Sequence, residues 1–210
     1  MKKVFAILAA TVLFAGIASA QLGINVGYAP QTYKTTYTYN GSSTTTSSAM
    51  QGFFAGVNYN INLTGDLGVS LGADFRFNTS NKEYIIAGVN LGDAKETQTL
   101  IDVPILFNSG LNISDDLKIS VFLGPTVSFA LSGNTNISNS PLGLYDGDSD
   151  WYGDNSDRNR LDIAGTAGVN VQYKAFRLFG GYNMGLLDLD KTSNYKIKAS
   201  NWFVGLGFSL

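Results

Sequence analysis

Carboxylates are the residues of this chain best spaced for chemistry. Asp146, Asp148 and Asp150 recur at every second position, and Asp157 follows seven residues later. Oxygen ligands at positions 1, 3, 5 and 12 are the donor pattern of a calcium loop, which surrounds one hard cation. Trp151 stands where that loop requires glycine, and Asp157 replaces the bidentate glutamate. A solvated acidic loop is therefore the favoured reading, with calcium as the alternative and no other cofactor indicated. A second group, Asp74, Arg76, Asp102, Arg160, Asp162 and Arg177, pairs three acids with three bases. A carboxylate pair in it, such as Asp102 with Asp162, could do acid–base work without histidine. The chain has neither histidine nor cysteine. That excludes histidine-assisted hydrolysis, thiolate nucleophiles, disulfides and Cys/His zinc sites, and the expectation is a protein that is not an enzyme. Fourteen basic residues against 16 acidic ones also leave no positive surface for nucleic acid.

What positions these charges is a repeating period of two. Leu22, Ile24, Val26 and Tyr28 alternate with Gly23, Asn25 and Gly27. Similar runs follow through Phe53–Leu63, Leu67–Phe77, Ile101–Phe107, Leu117–Leu131, Leu161–Tyr173, Phe176–Leu187 and Trp202–Leu210. Side chains on a strand point alternately to its two faces, so eight strands are expected, each with one apolar face. The apolar parity carries no charge within these eight segments. Its partner is mostly Gly, Ser, Asn and Thr, and it holds all six charges of the second group. In the Phe176–Leu187 run, Phe179 and Leu187 fall on the polar parity.

A soluble barrel turns its apolar face inward, whereas an outer-membrane barrel turns it to lipid and keeps a polar interior. Only 14% of residues are charged, too few for a surface covered entirely by water. Small residues on the other parity suit the narrow lumen of eight strands. Short links at residues 64–66, 108–116 and 174–175 alternate with long ones at 34–49, 79–96, 132–158 and 188–199, as in barrels with short periplasmic turns and long outer loops. The expected fold is all-β: an eight-stranded antiparallel up-and-down transmembrane β-barrel with a polar interior and four long outer loops. Within it the six inward charges read as a balanced ion-pair network. Tyr28, Tyr59, Tyr173, Tyr182 and Trp202 read as girdle residues at the lipid–water boundary.

Residues 1–20 read as a secretory signal peptide, with Lys2 and Lys3 before an apolar run and Ala18-Ser19-Ala20 before cleavage. Residues 21–210 form the barrel domain. The Thr/Ser/Tyr-rich stretch Thr35–Ser48, with Tyr37, Tyr39 and Asn40-Gly41, reads as an outer loop that suits a glycan or protein contact.

Three short motifs carry a family resemblance. Ile101-Asp-Val-Pro-Ile-Leu-Phe107, Leu123-Gly124-Pro125 and Gly181-Tyr182-Asn183-Met184-Gly185-Leu186 resemble strands of the small outer-membrane β-barrel proteins of Bacteroidetes, the porin-family or PorT-like group. The C-terminal Gly205, Phe208 and Leu210 are similar to the signal read by the barrel-assembly machinery, with Leu in place of a terminal aromatic. The resemblance implies the bacterial outer membrane as location, with lipid and the assembly machinery as partners. The expected role is structural or surface-interacting, through the outer loops and an envelope protein or glycan. The alternatives are a narrow channel for ions or small solutes and a component of a secretion or envelope-assembly complex.

Overall fold

The described residues form ten strands where eight are expected, and Pro30 accounts for one of the two extra. Lacking an amide hydrogen, it cannot donate to a ladder. Here it divides one long staff into β1 (Ala20–Tyr28) and β2 (Gln31–Tyr39). The other strands are β3 (Ser42–Thr64), β4 (Leu67–Ile86), β5 (Val89–Asn112), β6 (Leu117–Ser138), β7 (Gly147–Asp150), β8 (Leu161–Tyr173), β9 (Phe176–Gly185) and β10 (Tyr195–Ser209). The computed structural model describes residues 20–64, 66–86, 89–138, 146–154, 156–192 and 195–210. The expected signal peptide lies, but for Ala20, outside them.

Every named pairing is antiparallel, and the pairings form a circuit. β3 to β4, β5, β6, β8, β9 and β10 follow in order. β10 then pairs β1 from Gly23↔Ser209 to Tyr28↔Val204, and β1 pairs β3. β2 continues the same staff between β10 and β3. The short β7 is an outer addition to β6. The circuit thus has eight staves, and a sheet paired in this way leaves none of them as an open edge.

The faces follow the sequence alternation. Leu22, Ile24, Val26, Phe53, Val57, Phe75, Val103, Phe107, Val121, Leu178 and Leu206 all point outward and are exposed. In water such a surface would associate at once; facing lipid it costs nothing. Crossing a bilayer takes about 9–11 tilted residues, and β8 and β9 have 13 and 10.

Most of the expected outer loops are strand. Residues 35–48 form a two-stranded hairpin in register from Gln31↔Met50 to Tyr39↔Ser42. Its turn is Asn40-Gly41, both with positive φ (47° and 78°), as a two-residue hairpin turn requires. β4 and β5 likewise pair as far as Ile86↔Val89, and β6 runs on to Ser138. The 35–48 hairpin is exposed or half-exposed throughout, so it shows no apolar alternation, and Thr, Ser and Tyr supply its β propensity instead. Gly41→Val puts a β-branched residue at φ 78° and is expected to fray this hairpin by about 1 kcal/mol or more. Amide exchange should accelerate at 32–49 and stay unchanged in β8.

Candidate functional site

Arg76 on β4 forms the central layer of the lumen. Its Nε lies 2.9 Å from Asp102 Oδ2 on β5, and the two side chains are only 5% and 10% exposed. Nη2 donates to Asp102 Oδ1 at 3.2 Å, while Nη1 donates to Gln31 Oε1 at 2.6 Å and Asn201 Oδ1 at 3.0 Å. The guanidinium therefore ties together β2, β4, β5 and β10 across the interior. A buried charge with this many partners is tolerable; the same charge alone would not be.

The other four charges do not join this pair in one network. Arg177 donates through Nη2 to Asn25 Oδ1 (2.7 Å) and Asn58, near the short-turn end. Arg160 donates to the carbonyls of Ala130 (3.2 Å), Leu131 (2.8 Å) and Tyr152 (3.0 Å). Pairing is irregular there, since Thr99↔Ser132 is followed by Leu100↔Ala130. Arg160 thus satisfies carbonyls that the extra residue of this bulge takes out of the ladder. Asp162 accepts from the backbone of Ile163 and Leu187, and Asp74 lines the inner cavity. The expected six-membered network is corrected to one salt bridge and four separately held charges, because neutral amides and bulge carbonyls lie closer to hand. Asp102 is engaged by Arg76, so Asp102 and Asp162 do not form a free carboxylate pair.

Above this layer, towards the long hairpins, the lumen is filled. Gln98 is 2% exposed and Asn78 fully buried. Gln98 Oε1 accepts from Tyr33 Oη (2.5 Å) and Asn78 Nδ2 (3.1 Å), and its Nε2 donates to Tyr152 Oη (2.8 Å). Tyr33, Met50, Leu189 and Ala199 make a small apolar core, with Trp151 and Ile197 against it. The Arg158 guanidinium lies between the Tyr33 and Trp151 rings, 4.6 and 4.3 Å from their centres. Trp151 Nε1 donates to Thr135 Oγ1 at 2.7 Å, holding the ring down. Burial pushes the Tyr33 phenol up to about 12, against the pull of Arg158. An unfolded tyrosine ionises near 10, so this raised value adds stability that is present below pH ~10 and is lost as pH rises towards 12. The space left at this level is about 20 Å³.

Below the layer the lumen opens into a cavity of about 290 Å³. Four phenylalanines line it and touch in series: Phe54–Phe179 at 6.1 Å, Phe179–Phe203 at 6.3 Å and Phe203–Phe122 at 6.2 Å between centres. Each sits opposite a glycine on the neighbouring strand: Phe54↔Gly27, Phe122↔Gly168, Phe203↔Gly181 and Phe179↔Gly205. A Cβ at any of these glycines would meet the facing ring, so the missing side chains are the space in which the rings lie. Phe179 is thus an inward residue with a purpose, and its place on the polar parity is no irregularity. The register that pairs it with Gly205 is invisible in sequence. The family motifs acquire the same explanation, since Pro104 of the first motif packs over Gly72, where a Cβ would lie 2.7 Å from its Cγ.

The carboxylates of the acidic stretch are strung along an extended segment. Asp148 accepts from Asn136 Nδ2 at 2.6 Å across the β6–β7 ladder, and Asp150 accepts from the Tyr152 amide at 2.8 Å. Among the described residues no three carboxylates gather as metal ligands. The calcium alternative for Asp146, Asp148, Asp150 and Asp157 would require the extended Gly147–Asp150 segment to curl. Of the girdle residues, Tyr28 packs edge-on against Phe53 and Trp202, each at 5.4 Å, with Tyr182 paired to Trp202. Tyr173 marks the other boundary, beside Phe176. Tyr59 is half-buried and its hydroxyl is covered without a hydrogen-bond partner. At the chain end, Phe208 packs edge-on against Phe176 at 5.2 Å, Gly205 receives the Phe179 ring, and the Leu210 amide donates to the Leu22 carbonyl.

A family model, that of the outer membrane protein β-barrel domain, matches residues 14–191. The chain belongs to this family. As an outer membrane β-barrel protein it resides in the bacterial outer membrane; barrels of this kind turn their short links to the periplasm and their long hairpins outward. No curated protein sequence matches it. Similar solved structures include Ail, the attachment invasion locus protein of Yersinia pestis, in complex with the heparin analogue sucrose octasulfate. It is 16% identical over 91% of this chain and 99% of that one, with a TM-score of 0.47. Neisserial surface protein A is 12% identical over 91% and 99%, with a TM-score of 0.45. The outer membrane protease OmpT of Escherichia coli is 10% identical over 91% and 96%, also with a TM-score of 0.45. This last likeness corrects the expectation that the protein is not an enzyme: a protease is among the similar barrels, so membership of the architecture does not exclude catalysis.

Proposed function

We propose that this outer membrane β-barrel protein acts at the cell surface, through the strands that stand above the membrane, and that its lumen does not conduct. One observation carries the reading: the outer half of the lumen is filled by the Gln98 cluster and covered by Trp151, with about 20 Å³ to spare. Eight strands leave room for little more than side chains in any case. The outer hairpin also presents a contact surface. Tyr37 and Tyr39 stack at 6.4 Å, and Tyr195 lies 4.8 Å from Tyr37, all three exposed. Flat rings with polar tips suit an envelope protein or a glycan. The motifs shared with the Bacteroidetes proteins belong to this proposal, as do the signal peptide over residues 1–20 and the C-terminal assembly signal.

The test is a pull-down from native membranes with the intact chain and with a variant in which Lys34 is joined to Ser47 through Asn-Gly. The ladder below Lys34↔Ser47 is untouched, so the barrel is expected to fold. Partners lost with the hairpin are the expected result. Identical partners with both chains would contradict it, and recovery of envelope-assembly proteins by both would favour the assembly-complex reading. A narrow channel is the competing reading, and the 290 Å³ inner cavity is the observation in its favour.

A further inference from the structure

We infer that the periplasm-facing cavity is a binding cup for a small neutral ligand bearing several hydroxyls, of the size of a single sugar ring. The volume of about 290 Å³ is at the lower end of ligand pockets. Its wall is of two kinds. The rings of Phe54, Phe122, Phe179 and Phe203 offer apolar faces, and amide and hydroxyl side chains from several strands offer hydrogen bonds. Walls of this kind fit a ligand with C–H faces and a polar perimeter.

The unpartnered atoms narrow the chemistry further. Asn58 is 94% buried, since its exposure is 6%, and its Oδ1 accepts from Arg177. Its Nδ2 has no partner, and neither has Asn170 Oδ1, Asp74 Oδ1 or Arg177 Nε; all four residues line the cavity. Two of these atoms are donors and two are acceptors. A carboxylate ligand would serve only the donors and an ammonium only the acceptors. Hydroxyl groups both donate and accept, so one polyol can serve all four. The charges agree, because the cup contains both Arg177 and Asp74 and has no excess of either sign to attract an ion. Leaving buried polar groups unpaired is costly, and that cost is what such a ligand would relieve. The cup opens away from the outer hairpins, so this site is independent of any surface partner.

The experiment uses the full folded protein, extracted from membranes in detergent with 15N-labelled asparagine. Side-chain amide resonances are followed during titration with methyl α-glucoside, acetate or methylammonium. The expected result is a saturable shift of the Asn58 and Asn170 resonances with the glucoside, at millimolar concentration, and a weaker response to both ions. Asn58→Leu should weaken glucoside binding by roughly tenfold, while Asn136→Ala in the outer region leaves it unchanged. Should Asn58→Leu fail to fold, judged by loss of the heat-dependent gel shift of the barrel, Asn170→Ala takes its place with the same expectation. A non-saturating shift, equal binding by the variants, or tighter binding of either ion would overturn the inference.

Discussion

Arg76→Met is expected to destabilise the barrel by about 3–5 kcal/mol, the largest effect of any single substitution considered. The reason is what it leaves behind more than what it removes. Asp102 would keep its place in the lumen, 10% exposed at the side chain, having lost the cation 2.9 Å away. Gln31 and Asn201 would each lose the donor that satisfies their amide oxygens. Asp102→Leu alone strands the guanidinium instead, though Gln31 and Asn201 still accept from it, so a smaller loss is expected. In Arg76→Met with Asp102→Leu neither charge remains, and a buried pair replaced by apolar groups of similar volume costs little. The double variant should therefore recover most of the loss. Urea-dependent refolding into lipid vesicles measures all three, and a strongly non-additive cycle is the signature of the pair. Additive losses would mean that the two side chains do not meet.

Gly168→Ala is the second large effect. An added Cβ would collide with the Phe122 ring and with the Gly180 carbonyl on β9. The ring can swing into the cavity, but the carbonyl belongs to the β8–β9 ladder and cannot withdraw without opening it. A loss of about 1–3 kcal/mol is expected, as for other overpacked sites. Phe122→Ala in the same chain should return the part due to the ring and leave the part due to the carbonyl. Gly165, three residues away on the same strand, has nothing within 4 Å of its would-be Cβ. Gly165→Ala should change stability by less than about 0.5 kcal/mol. Equal losses at Gly165 and Gly168 would show that glycine acts through the strand and not through the facing ring.

These two variants also mark how far the sequence could be read. The alternation that turns Val26 and Phe53 outward and Asn25 and Gly52 inward is local, with a period of two residues, and the eight staves follow from it. The partner of an inward residue is not local. It depends on the register between strands, and that register brings Gln31, Asp102 and Asn201 to Arg76 from three other strands. Six inward charges were legible, therefore, while the single salt bridge among them was not. Phe179 shows the same limit: on its own strand it breaks the pattern, and only β10 supplies Gly205 beneath it. The outer hairpin failed for a different reason. A strand wetted on both faces has no apolar parity, so Thr35–Ser48 resembled a loop although Asn40-Gly41 announces a tight turn.

Planar-bilayer recording of the folded full-length barrel tests most directly whether the lumen is closed on its outer side. A closed lumen gives a baseline without discrete steps at any applied voltage. Stable, ion-selective steps that vanish when a blocker plugs the lumen would contradict it and assign the protein to the channels.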